Sequence, residues 1–131
     1  FTMAYTRAGL VPDGSSTYYL SRHVGLHRAM ELALTNRVLT ADEACDWGIV
    51  NQVVDDDELE EAAGSLAAKL AAGPTASFGA TKRLILEGTT EGLENQMERE
   101  TRCIAAAAGS EDGREGVQAF LDKRKPEFSG R

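Results

Sequence analysis

Apolar positions recur at helical spacing along most of the chain, and turn chemistry separates the runs. Leu26, Met30, Ala33 and Leu34 share one face of a helix over about residues 26–35. Leu59, Ala62, Ala63, Leu66 and Leu70 form the stripe of a longer helix, opened by the acidic run at 55–57 and extending to about residue 72. Gly73-Pro74 breaks it, and Pro74 suits the start of the next helix, which runs to residue 87. Gly88-Thr89-Thr90 is a further break and cap. The helix over 91–108 should bury Leu93, Met97 and Ile104. Gly109-Ser110 stops it and caps a last helix over about 111–123, with Val117, Phe120 and Leu121 apolar. Pro126 and the final residues Ser129, Gly130 and Arg131 read as a frayed tail.

The first part of the chain is more varied. Residues 1–12 mix aromatic, β-branched and small side chains and predict a short strand followed by an extended loop. Pro12-Asp13-Gly14-Ser15-Ser16 is strong turn chemistry, and Ser15 or Ser16 can cap a short helix over 17–23 that Gly25 stops. Thr40-Ala41-Asp42-Glu43 is a capping box. The helix it starts ends at Gly48, with Trp47 placed to anchor that end in the core. The β-branched run 49–54 predicts a second short strand. The expected inventory is six or seven helices and two brief strands, with alanine-rich stripes that pack closely but build a thin core. Such a set of helices needs more surface to bury, from other residues of its protein or from another subunit. The chain opens at Phe1 inside the strand-like stretch and so reads as a piece of a longer protein.

Composition narrows the classes. The 131 residues suffice for one compact domain, and 42% apolar with 27% charged residues is ordinary for a globular protein. A formal charge of −7 opposes binding to nucleic acid or to an anionic membrane. No apolar run reaches membrane-spanning length. Cys45 and Cys103 are isolated, with no zinc spacing, and read as half-buried free thiols of a reducing, cytoplasmic compartment.

Few residues stand out chemically. Asp13 is either a plain turn former or a carboxylate on a loop at a pocket mouth, a common place for a general base. His23 and His27 flank a helix break and are given no catalytic role, and Arg22 and Arg28 read as surface charges. The cluster Lys123-Arg124-Lys125 is the one dense basic patch. It can cap the last helix or bind a phosphate. Glu58, Glu60, Glu61, Glu98 and Glu100 read as solvated helix faces.

Several segments together, in order, resemble the enoyl-CoA hydratase/isomerase (crotonase) family. Residues 9–17, GLVPDGSST, resemble its loop G-[LI]-[VI]-P-x-x-G-G-[ST] entering a helix. Residues 24–32, 39–44 and 47–50 resemble the two helices that lead to its G-L-V strand. Residues 115–124, EGVQAFLDKR, resemble its C-terminal E-G-x-x-A-F-x-E-K-R helix. The resemblance implies a mainly α portion of an α/β fold. Residues 1–54 would be the end of a ββα spiral core with the active-site loop, and residues 55–131 a helical, CoA-contacting trimerisation region. It further implies acyl-CoA thioester substrates, no metal or redox cofactor, assembly as a homotrimer or hexamer, and an enolate held by two backbone N–H groups. Those donors lie upstream in the family, so residues 1–131 alone are expected to be inactive.

The departures are informative. Tyr5 stands where many hydratases carry a catalytic glutamate, and a phenol is no base at neutral pH. Instead Asp13 follows the proline, as in the isomerase-like branch that includes phenylacetate-pathway isomerases. Ser15-Ser16 replaces the Gly-Gly pair. The resemblance implies Asp13 as the proton-moving base, with Phe120 and Lys123 contacting the adenine and phosphate end of CoA in a neighbouring subunit. An isomerase is favoured over a hydratase, since hydration normally needs two carboxylates around one water. A non-catalytic helical oligomerisation module is the reading from another class.

Overall fold

The computed structural model describes residues 1–131. A 3-10 helix, η1 (Ala4–Ala8), is followed by α1 (Ser16–Val24), α2 (Leu26–Thr35), α3 (Ala41–Asp46), α4 (Leu59–Ala71), α5 (Thr75–Gly88), α6 (Leu93–Gly109) and α7 (Glu111–Asp122). They fall into two units, Phe1–Asp57 and Glu58–Arg131. No helix is long and apolar enough to cross a membrane.

Neither expected strand forms. Phe1 and Leu39 exchange backbone hydrogen bonds of 2.9 and 2.8 Å, as an antiparallel pair does, but Ala4 already turns into η1. Ile49 and Val50 both direct their N–H groups at the carbonyl of Ala44, wrapping the chain around the end of α3. β-Branched residues favour a strand only when a neighbouring strand takes their backbone groups, and here helix carbonyls take them.

In the first unit, α2 packs on α1 and on η1. Leu32, Ala29, Leu39 and Ala44 are buried. Asn36 ends α2 in the left-handed conformation, φ 55°. Its side chain clamps η1 by donating to Thr6 Oγ1 at 2.9 Å and accepting from Arg7 N at 3.2 Å. Thr6 Oγ1 in turn donates to Ala33 O at 2.7 Å. The Thr40–Glu43 capping box opens α3. Arg37 bonds both Glu31, at 2.7 Å, and Glu43. One expectation needs correction here. Trp47 is half-buried rather than a core anchor, and the guanidinium groups of Arg28 and Arg37 lie 4.8 and 5.2 Å from its ring. Leu26, Met30, Ala33 and Leu34 share one face as expected, and that face lines an apolar groove of about 350 Å³ with Leu20, Met3 and Ala29, while Leu32 is buried.

In the second unit α6 packs against α5 and α7. Its seams are built from small residues. A Cβ on Gly113 would lie 1.9 Å from the Ala107 carbonyl, so the corner joining α6 to α7 needs glycine there. Ala119 is fully buried, whereas Leu93, Met97 and Ile104, expected inside, are exposed, as are Val117, Phe120 and Leu121. Helical periodicity marks a face that wants cover, and here close Gly and Ala packing turns the large side chains outward. The α4 stripe of Leu59, Leu66 and Leu70 is likewise exposed. Ser110 caps α7 by accepting from Gly113 N at 2.9 Å.

The tail is not frayed. Asp112, in the first turn of α7, is buried, and its carboxylate accepts from Ser129 N at 2.6 Å and Gly130 N at 2.9 Å. Its own N–H donates to the Arg131 carbonyl at 2.7 Å. A buried carboxylate satisfied by backbone N–H groups anchors a segment whose composition alone reads as loose.

Candidate active site

The turn Pro12–Ser16 carries the candidate base, and its backbone is held at defined points. Gly9 ends η1 at φ 71°, and Leu10 N donates to Tyr5 O at 3.0 Å, bringing the chain back over η1. Gly14 and Ser15 are both left-handed, φ 60° and 62°. Ser15 occupies the helix-cap position, but its hydroxyl makes no capping bond. Instead Ser16 N and Oγ both donate to the Asp13 carbonyl, at 3.0 and 2.6 Å.

This path places Asp13 against Tyr5. The phenol donates to Asp13 Oδ1 at 2.8 Å, and the other carboxylate oxygen accepts nothing from the chain. The hydrogen bond to Asp13, and then the Asp13 charge, raise the Tyr5 hydroxyl above its ordinary value of 10.0, because ionising the phenol would set two anions side by side. The sequence reading set Tyr5 aside as a base in favour of Asp13, and the structure joins the two. The pairing had one sequence signal, a glycine between them that lets a short helix fold back.

Two apolar recesses adjoin this unit's helices. One, of about 440 Å³, is lined by Phe1, Met3, Tyr19, Leu20 and His23 among others; the second is the α2 groove already described. His23 Nδ1 lies 2.7 Å from the Tyr19 carbonyl, and Arg22 stacks 3.5 Å from the Tyr18 ring rather than standing free.

Phe120 and Lys123 lie in the second unit. Phe120 is 83% exposed on α7. Lys123 follows that helix in the left-handed conformation, φ 54°. Sequence left the basic cluster as a helix cap or a phosphate site, and the structure divides it. Arg124 makes a two-pronged ion pair with Glu115 at 2.6 and 2.8 Å. Glu115 also accepts from Glu127 N at 2.8 Å. The Arg124 bond, then the Glu127 N–H, hold the Glu115 carboxyl down at about 2. Lys123 and Lys125 remain exposed.

Comparison with known proteins agrees along the whole length. The sequence model of the enoyl-CoA hydratase/isomerase family matches residues 1–131. The chain is 44% identical, over all its residues, to 50% of the 1,2-epoxyphenylacetyl-CoA isomerase of Escherichia coli K12. It is 42% identical, over 94% of its length, to 45% of a 4-chlorobenzoyl coenzyme A dehalogenase of Arthrobacter. Its structure superposes with a TM-score of 0.95 on an enoyl-CoA hydratase subunit of Geobacillus kaustophilus, 34% identical, covering all of this chain and 51% of that one. The chain thus spans about half the length of the relatives it matches, and its helices correspond to the C-terminal helical part of the crotonase fold. With a family model matched from end to end and relatives above 40% identity, this chain belongs to the enoyl-CoA hydratase/isomerase family.

Proposed function

We propose that the complete protein carrying this chain is an isomerase of unsaturated acyl-CoA thioesters, with Asp13 as its base. In this reading the Asp13 carboxylate takes an α- or γ-proton from the unsaturated acyl-CoA. The electron pair of the broken C–H bond moves into the thioester, whose oxygen becomes the enolate oxyanion. The proton then returns at the other end of the resulting dienolate, two carbons away, so the double bond shifts and nothing is added or lost. The oxyanion is held by backbone N–H groups outside these residues.

The observation that carries the reading is the Tyr5–Asp13 pair. A hydratase needs two carboxylates around one water. This loop offers a single carboxylate, and the phenol at the position where many hydratases carry glutamate is bonded to it. The name of the Escherichia coli relative, a CoA-thioester isomerase, supports the same reaction type.

Phe120 and Lys123 contact the adenine and phosphate end of CoA in this reading, across a subunit boundary. The exposure of Phe120 and of the large apolar side chains on α4, α6 and α7 supports self-association as a trimer or a dimer of trimers.

The test is an assay of the complete protein with 2-enoyl- and 3-enoyl-CoA esters, with wild type and Asp13→Asn side by side. Interconversion of positional isomers is expected. The substitution keeps shape and turn propensity, so turnover should fall by roughly two orders of magnitude with acyl-CoA affinity retained. A 3-hydroxyacyl-CoA as the sole product overturns the isomerase reading, and near-wild-type turnover of the variant removes Asp13 from the chemistry.

A further inference from the structure

We propose that Tyr5 is a positioning residue for this reaction: its hydroxyl, bonded to Asp13 Oδ1, turns the other carboxylate oxygen toward the substrate proton. The proposal rests on the assignment of Asp13 as base made above.

Asp13 is exposed, and Leu10 and Val11 just before it are 61% and 81% exposed, so little packing steadies this side of the turn. Its backbone is nonetheless held, because Ser16 binds its carbonyl twice. What remains free is rotation of the side chain. A carboxylate that samples several rotamers spends little time within proton-transfer distance, about 2.6–3.2 Å, of one carbon-bound proton.

The phenol removes that freedom. A donor at 2.8 Å on Oδ1 selects one rotamer and leaves Oδ2 as the accepting oxygen. The donor itself has a firm base. Tyr5 belongs to η1, its carbonyl accepts from Leu10 N, and η1 is bolted to α2 by Thr6 and Asn36. Position is therefore transmitted from α2 to an exposed turn through one side chain. The raised pKa of the phenol agrees with a group that stays protonated and donates rather than one that accepts the substrate proton.

The plainer account is that the bond ties loop to helix and affects only stability. The two accounts differ in kinetics. In the complete protein, Tyr5→Phe removes one atom from a half-buried ring and leaves its packing intact. The variant, Asp13→Asn and the double variant are assayed for isomerisation of a 3-enoyl-CoA ester, with kcat and KM separated. The expected result is a kcat for Tyr5→Phe lower by roughly tenfold, the scale of one hydrogen bond to a charged group, with KM within about twofold. In the Asp13→Asn background the same change should cost nothing further, since Tyr5 acts only through the carboxylate. Two outcomes overturn the role of Tyr5 while leaving Asp13 as base: an unchanged kcat in Tyr5→Phe beside a defective Asp13→Asn, or an equal loss from Tyr5→Phe in both backgrounds. A near-wild-type Asp13→Asn overturns both assignments.

Discussion

The Tyr5 hydroxyl and the Asp13 carboxylate, eight residues apart, meet in a 2.8 Å hydrogen bond across the return of the chain over η1. The residue at the position where many hydratases of the family carry glutamate thus faces the turn that carries Asp13.

The pair has a spectroscopic signature. Tyr5 should titrate above the ordinary value of 10.0, because of the Asp13 bond first and the Asp13 charge second. The difference in tyrosinate absorbance between wild type and Tyr5→Phe reads this one group. Asp13→Ala removes both causes and should return the transition toward the ordinary value. A transition unaffected by that substitution would show that the pair does not form in solution.

Ser15 holds a left-handed conformation, φ 62°, with no capping bond to justify the hydroxyl, at a position where the family loop carries glycine. Ser15→Gly relieves roughly 1–2 kcal/mol of backbone strain. It returns roughly 0.5–1 kcal/mol through the entropy of a more flexible unfolded chain. Thermal unfolding of the complete protein should therefore shift upward slightly, and a clear decrease would contradict this account of the turn.

Glu115 supplies an acid-sensitive contact. Its carboxyl is lowered from 4.5 to about 2 by Arg124 and then by Glu127 N. A carboxylate depressed in the folded state stabilises fully above the unfolded value, and that contribution disappears as pH falls through the folded one. The melting temperature of wild type should thus drop more steeply between pH 4.5 and about 2 than that of Glu115→Gln. Parallel pH profiles would rule the contact out as a contributor.

Asp112 fastens the tail to α7. Asp112→Ala leaves Ser129 N and Gly130 N without their acceptor. A loss on the order of 1–3 kcal/mol is expected. Hydrogen exchange at the Ser129 and Gly130 amides should accelerate well beyond that of the α6 amides. Retained protection at these two amides would mean that other contacts hold the tail.

Helix bounds were legible in the sequence because their determinants are local. The Thr40–Glu43 box, the Ser110 cap and the stop at Gly25 each satisfy backbone groups three or four residues away, and α2 and α3 begin where those signals place them. The loop of the candidate site was legible for the same reason, as turn residues at fixed spacing. What covers each helix was not. Met30 and Ala29 are adjacent and both apolar, yet Ala29 is buried and Met30 is half exposed, a difference only the packing of the helices decides. The runs at 1–5 and 49–54 carry strand propensity, but a strand exists only through a partner, and Leu39 and Ala44 take their backbone groups instead. The bond from Tyr5 to Asp13 and the clasp of Asp112 on the tail belong to the same class. Each joins residues whose separation along the chain carries no period, so it arises only when packing has fixed the path between them.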